Sequence, residues 1–339
     1  MQVIRCEEAH QFKKVEQEMP SLATDKDVLI NIKYIGVCGT DIHAYNGVQP
    51  FFNYPRILGH ELSGEVIELG SQVENVKNGD KVVVIPYMEC GECVACRKGK
   101  TNCCTDMKVL GVHIDGGMRE YISVPSDHVL KVNNIDLAEA ALVEPLSIGA
   151  HAVRRSKIGE GDTVLVIGAG PIGLGVMKFA KLKGTKVIAM DVNQERLQFC
   201  EKWANVDGTV DALDNAESAI SELTNGDYPD VVFDATGNKQ SMTNAFQLVS
   251  HGGQLVYVGL VKDVISFEDP EFHKREMSLL GSRNATIQDF DYVITQMEKG
   301  NVDTKALITH RLQLADVPEK FEDILDPQKK VIKALVDVD

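Results

Sequence analysis

The sequence predicts an α/β protein built on a doubly wound parallel sheet, joined to a second domain in which strands dominate. Three observations predict it. Residues 163–191 read as strand, glycine-rich turn, helix and strand. Strand and helix patterns keep alternating from there to Gly281. Ahead of that stretch lie short strand-like runs, including VLINIKYI at 28–35, with turn signals such as Gly79-Asp80 between them.

Residues 163–167 form a short apolar run rich in β-branched residues, as in a buried parallel strand. Gly168, Gly170 and Gly173 follow at G-x-G-x-x-G spacing, with Pro171 and Ile172 between the last two. Gly168 permits the tight turn, Gly170 lets a dinucleotide pyrophosphate approach the backbone, and Gly173 lets the helix pack closely. The helix N-terminus offers free N–H groups to phosphates. Helical apolar spacing runs over 175–183, and a second strand at 186–190 ends on Asp191, 23 residues after Gly168. A carboxylate there accepts from the ribose hydroxyls and repels a 2′-phosphate, so the expected cofactor is NAD rather than NADP. Arg196 works slightly against that preference; it is either a lid on the adenine or a plain helix-surface charge. A lone glycine motif is weak, but this order of elements defines a Rossmann unit. The bland alternative is such a unit that has lost its nucleotide. Later strands at 230–235, 254–258 and 278–281 run into Thr236, Gly259 and Ser282, at the carboxyl ends where a ligand gathers.

At 339 residues the chain is long enough for about two domains, and 44% hydrophobic content supplies ample cores. A net charge of −15 argues against a nucleic-acid surface. The N-terminal residues carry no apolar signal region, and no apolar run approaches the ~20 residues of a membrane helix, so a cytoplasmic location is expected. Of eight cysteines, five fall between Cys90 and Cys104, which in such a chain reads as metal binding rather than disulfides.

Cys90, Cys93, Cys96 and Cys104 have the spacing of a closed, tetrahedral structural zinc site. Cys103 could exchange with Cys104, and an iron–sulfur cluster is the lesser alternative. Arg97, Lys98 and Lys100 would offset the tetrathiolate charge. Cys38 and the His60-Glu61 pair offer a second set of zinc ligand types. Singly, Cys38 reads as a small buried hydrophobe and His60 as a core histidine. Together, each beside glycines at a strand-to-loop transition, they read as a site. Residues 137–156 look helical, with Glu144 and Pro145 interrupting an apolar face. A carboxylate among Ala141, Leu142, Val143 and Leu146 needs an arginine partner or a metal, and the metal is preferred. Further helices are expected at 194–204, 242–249 and 289–299, with a return segment at 307–310 and a last strand at 331–336.

From end to end the chain resembles the zinc-dependent medium-chain dehydrogenases, the family of alcohol, sorbitol and threonine dehydrogenases. GVCGTDIH, GHELSGEV, the cysteine lobe, LVEPLS, VIGAGPIG and LITH carry the likeness. Residues 48–52, 111–117 and 281–286 resemble bacterial hexonate 5-dehydrogenases within that family. The resemblance implies a GroES-like catalytic domain at 1–145 and 288–339 around an inserted NAD-binding Rossmann domain at 146–287. It implies one structural and one catalytic zinc. The catalytic zinc falls to Cys38 and His60, with Glu61 and Glu144 as acidic members, one binding directly and the other through water. Glutamate rather than cysteine at 144 is the sorbitol-type pattern and favours polyhydroxylated substrates. Thr40 would relay the hydroxyl proton, His43 would pass it outward, and Asp41 would orient His60. Phe51, His113 and Arg283 become candidate substrate contacts, Arg283 because a sugar-acid carboxylate needs a cation.

The implied activity is oxidation of a secondary alcohol, the C5 hydroxyl of L-gulonate or L-galactonate, in a homodimer or homotetramer. A polyol or threonine dehydrogenase is the alternative within the family. A zincless quinone reductase-type enzyme would lack Cys38, His60 and the cysteine lobe. A non-catalytic NAD-sensing regulator would keep Asp191 and the glycines without an open zinc site.

Overall fold

The computed structural model describes residues 1–49 and 52–338. The chain forms two compact units, Met1–Pro145 with Thr286–Asp339, and Leu146–Ala285. The return to the first unit comes two residues earlier than position 288. Thr286 and Asp289 form a capping box at the start of helix Ile287–Glu298, so the cap belongs with the helix it begins.

The first unit opens with β1 (Gln2–Glu8), β2 (Gln11–Glu16), β3 (Asp27–Gly36), β4 (Arg56–Ile57) and β5 (Glu61–Leu69). It continues with β6 (Lys81–Val84), β7 (Tyr87–Met88), β8 (Lys108–Val109), β9 (Tyr121–Pro125) and β10 (Val129–Lys131). The second unit holds β11 (Thr163–Ile167), β12 (Lys186–Asp191), β13 (Gly208–Asp211), β14 (Val231–Asp234), β15 (Gln254–Tyr257) and β16 (Ser278–Gly281). The chain then returns with β17 (Ile308–Gln313) and β18 (Lys333–Asp337).

In the first unit a seven-stranded sheet runs β10-β6-β5-β3-β18-β17, with β9 also on β3. The long β3 anchors it because Val28, Ile30, Ile32 and Ile35 all point into the core. Leu29 is buried as well, outside that cluster, and the register shift between Ile32 and Tyr34 breaks the alternation so that Ile35 joins the same core. That register pairs Gly36 with Glu61 at the end of the ladder. The helix expected over 137–156 is two helices, Leu137–Ala140 and Val143–Ser156. The break leaves Pro145 in the first turn of the second helix, where a missing N–H removes no intrahelical bond.

In the second unit all strand pairs are parallel, in the order β13-β12-β11-β14-β15-β16. This is the dinucleotide-binding order, reversing direction between β11 and β14. The helix after β11 spans Pro171–Lys181, starting ahead of the apolar spacing because Pro171 presets the first helical turn. β13 and the helices Ala216–Leu223 and Asp269–Lys274 were not legible in the pattern; the last of these buries no residue at all. The helix expected at 242–249 is Lys239–Asn244, capped by Asn238, followed by a 3-10 turn. Among the described residues, no helix is long and apolar enough to cross a membrane.

Candidate metal and dinucleotide sites

Where β3 ends, Cys38 caps the helix Gly39–Tyr45. The Asp41 carboxylate accepts from Cys38 N at 2.9 Å and from Gly59 N at 3.1 Å. One buried carboxylate thus ties the Cys38 turn to the segment that carries His60. The His60 ring itself is 3.9 Å from Asp41, too far for a hydrogen bond, so Asp41 sets His60 through its neighbour's backbone. Cys38, His60 and Glu61 each place one ligand atom within 4.8 Å of the others.

Glu61 is fully buried and meets Lys333 of β18, whose Nζ is 2.6 Å from Oε1 and 2.5 Å from Oε2. The same ammonium donates to Val37 O at 3.0 Å. Burial works to lower the Lys333 pKa, but the charges of Glu61, Cys38 and Glu144 and the hydrogen bond to Glu61 together outweigh it and hold the group above its ordinary value. Glu144 is buried, and its Oε1 accepts a hydrogen bond from the Tyr87 hydroxyl. The apolar-face carboxylate therefore has a tyrosine partner where an arginine was the bland expectation. Burial is the main cause pushing Glu144 up to about 7. The charges of His60, Glu61 and Lys333 all act on Glu144, although it stands outside the tighter group of three.

Two buried atoms of the site, His60 Nδ1 and Glu144 Oε2, have no hydrogen-bond partner among the described residues. A thiol, an imidazole and two carboxylates gathered in a buried pocket are a donor set that zinc accepts. Thr40, half-buried, and His43, exposed, stand three residues apart on the helix that follows Cys38 and so share a face.

Cys90, Cys93, Cys96 and Cys104 form a second group with ligand atoms within 4.8 Å. All eight cysteines are free. Backbone N–H groups of Cys90 and Asp106 donate to Cys104 Sγ at 3.3 Å, and Cys93 N donates to Cys90 Sγ at 3.4 Å. Cys104 is buried in this group while Cys103 is exposed outside it.

At the switch between β11 and β14, Gly168 takes φ +98°, and an added Cβ there would press on Thr236. A Cβ at Gly173 would overlap the Gly168 carbonyl, so this glycine admits the turn itself to the helix. A Cβ at Gly170 would meet nothing within 4 Å, and no side chain caps the helix it begins. That open space, facing free N–H groups at Pro171–Lys181, suits a pyrophosphate. Pro171 and Ile172, half-buried, form the first helical turn. Asp191 ends β12, accepting from Ala169 N at 2.6 Å and from Asn193 N at 2.8 Å. Arg196 is exposed on the following helix. Thr236 is bonded to Asp234, Gly259 N donates to Asp234 O at 3.0 Å, and Ser282 N donates to Tyr257 O at 2.8 Å.

Among the substrate candidates, Phe51 lies outside the described residues. His113 is exposed, its Nδ1 accepting from Val109 N at 3.1 Å. Arg283 is exposed in the second unit just after β16. Sequence reasoning missed Lys333 and Tyr87. A lysine inside the apolar run VIKALV was the one available signal for Lys333.

Residues 24–134 match the alcohol dehydrogenase GroES-like domain family, and residues 171–299 the zinc-binding dehydrogenase family. The chain belongs to the zinc-containing medium-chain alcohol dehydrogenases. It is a zinc- and NAD(P)-dependent oxidoreductase acting on CH–OH groups. It is 42% identical to the L-galactonate-5-dehydrogenase of Escherichia coli K12, covering 99% of this chain and 98% of that one. A crystal structure of an alcohol dehydrogenase from E. coli CFT073, complexed with NADH, superposes with TM-score 0.93. The identity is 32%, over 100% of this chain and 99% of that one. A zinc-binding dehydrogenase from Sinorhizobium meliloti, bound to NADP, matches with TM-score 0.92 and 27% identity over 99% of each chain.

Proposed function

We propose that this chain uses NAD to oxidise the C5 hydroxyl of a six-carbon aldonate, converting L-gulonate to D-fructuronate or L-galactonate to D-tagaturonate. The observation that carries the reading is the 42% identity, over nearly the whole of both chains, to an L-galactonate-5-dehydrogenase. Glu144, where alcohol dehydrogenases resemble one another in having cysteine, supports a polyhydroxylated substrate.

Zinc, when bound, supplies Lewis acidity toward the substrate hydroxyl, and the nicotinamide accepts the hydride. Cys38, His60 and one of the two glutamates hold the metal. Lys333 offsets part of the negative charge of this donor set, and Asp41 fixes the spacing of Cys38 and His60. Thr40 takes the substrate proton and His43 carries it toward solvent along one helix face. Asp191 selects NAD by refusing a 2′-phosphate, and Gly168, Gly170 and Gly173 form the phosphate cradle. Arg283 pairs with the substrate carboxylate, while Cys90, Cys93, Cys96 and Cys104 hold the structural zinc.

The test is NADH formation across L-gulonate, L-galactonate, sorbitol, threonine and simple alcohols. The hexonates should show the highest kcat/KM. Faster turnover of sorbitol, threonine or a simple alcohol rejects the substrate and leaves the dehydrogenase class intact.

A further inference from the structure

Glu144 has one fixed oxygen and one free oxygen. The fixed one, Oε1, accepts from the Tyr87 hydroxyl, and the free one, Oε2, is buried with no hydrogen-bond partner among the described residues. Tyr87 is itself held on several sides. Its backbone pairs with Val109 in the β7–β8 ladder. Its carbonyl is 3.1 Å from His128 Nε2. Its ring stands edge-on to Phe290 with centroids 6.2 Å apart. Only 4% of the residue is exposed. β7 ends two residues before Cys90 and β8 begins four residues after Cys104, so this short ladder closes the neck of the cysteine lobe.

We propose that Tyr87 is a positioning residue that presents the free oxygen of Glu144 to the catalytic metal and couples that metal to the cysteine lobe. The proposal rests on the reading of Glu144 as an acidic member of the metal site. A carboxylate with both oxygens free can rotate between binding and non-binding poses. With one oxygen held by a rigid phenol, the other keeps one pose. Partners of this kind behind a metal ligand are typically worth about 10–100-fold in metal affinity. The lobe enters because the Tyr87 backbone and the neck of the lobe are one ladder. Disorder in the lobe frees the phenol, and the phenol frees the carboxylate.

The experiment follows zinc release to an excess of a chromogenic chelator from wild type, Tyr87→Phe, Glu144→Gln and the double variant. Thermal melts show that each is folded. Tyr87→Phe keeps the ring against Phe290, so one zinc should leave tenfold or more faster while the other leaves at the wild-type rate. In the Glu144→Gln background, adding Tyr87→Phe should change release less than twofold. Wild-type release from Tyr87→Phe, with Glu144→Gln fast, overturns the role of Tyr87 alone. Equal acceleration by Tyr87→Phe in both backgrounds overturns it too, since the phenol would then act other than through Glu144. Wild-type release from Glu144→Gln overturns the reading of Glu144 and the proposal with it. A Tyr87→Phe chain that does not fold is replaced by Lys108→Pro, which removes the N–H of the exposed residue opposite Met88 in the ladder and leaves the phenol. Faster release of the catalytic zinc then supports the coupling, and unchanged release overturns it.

Discussion

Asp191 does two things with two oxygens. It ends a strand where the proposed function puts the ribose, and it already straps the glycine turn by accepting from Ala169 N and Asn193 N. Replacing it with alanine removes the repulsion toward a 2′-phosphate and loosens the turn together. The gap between NAD and NADP in kcat/KM should narrow, and NAD kcat/KM should itself fall about tenfold or more, from the loss of charge-assisted bonds worth roughly 1.5–3 kcal/mol each. A wild-type enzyme that prefers NADP rejects the reading of Asp191. Arg283→Ala tests the substrate carboxylate in the same way. Activity on L-gulonate and L-galactonate should drop about tenfold or more, and activity on sorbitol much less. Equal losses on all three show that Arg283 does not read a carboxylate. Cys38, His60, Glu61 and the four lobe cysteines were legible in the sequence because zinc chemistry restricts ligand types and spacing. Lys333 and Tyr87 were not. A lone lysine in a strand ordinarily points to water, and only the pairing of β18 with β3 brings this one to Glu61.

Elements set these residues by close approach. Gly36 faces Glu61 across the β3–β5 ladder, and any Cβ at 36 would overlap the Glu61 carboxylate. Gly36→Ala should therefore push Glu61 off Lys333 and lower both activity and catalytic-zinc content, with the cysteine-lobe zinc retained. Metal analysis showing full zinc in that variant counts against the role of Glu61. Beside the neck of the lobe, His128 lies between Asp127 at 2.8 Å and Glu89 at 3.1 Å. Burial works to lower its pKa, but the two carboxylates outweigh it and raise it to about 9. The unfolded value is about 6.5, so the stabilisation is complete below about 6.5 and is lost as pH rises through about 9. The melting temperature should fall over that window, and His128→Gln should flatten the profile. Equal slopes in both proteins show that the pH dependence lies elsewhere. Long, strongly periodic elements such as β3 and β11 were readable from pattern alone. The split at Ala141–Leu142 was not, because apolar spacing continues unbroken across it.

For the whole molecule, about two zinc ions per chain are expected in protein purified without chelator, one for each ligand group. Metal analysis giving one or none contradicts the pairing of sites. Cys93→Ser should lower the melting temperature more than it harms chemistry, since a structural zinc contributes folding free energy. Cys38→Ser should abolish activity and leave the fold. Identical behaviour of the two variants removes the division between structural and catalytic metal. The two-unit plan was readable from the glycine motif and the alternation after it. The boundary at Thr286 depended on a capping box whose meaning is clear only once the helix is placed.

The position of β18 also bears on how the chain is made. β18 lies between β3 and β17, and it brings Lys333 to Glu61 from 272 positions further along the chain. The second unit, continuous over 146–285, has all its strands out of the exit tunnel well before that. Domains generally fold as units during synthesis, so the dinucleotide cradle can close while the metal pocket still lacks its buried cation. Until β18 docks, Glu61 faces the forming core as an uncompensated charge, and the sheet keeps an open edge at Tyr34, Ile35 and Gly36 of β3. Nascent chains arrested near residue 330 should therefore protect the second unit from protease and leave the segment around Glu61 open to cleavage. Protection of that segment before β18 emerges contradicts this order of assembly.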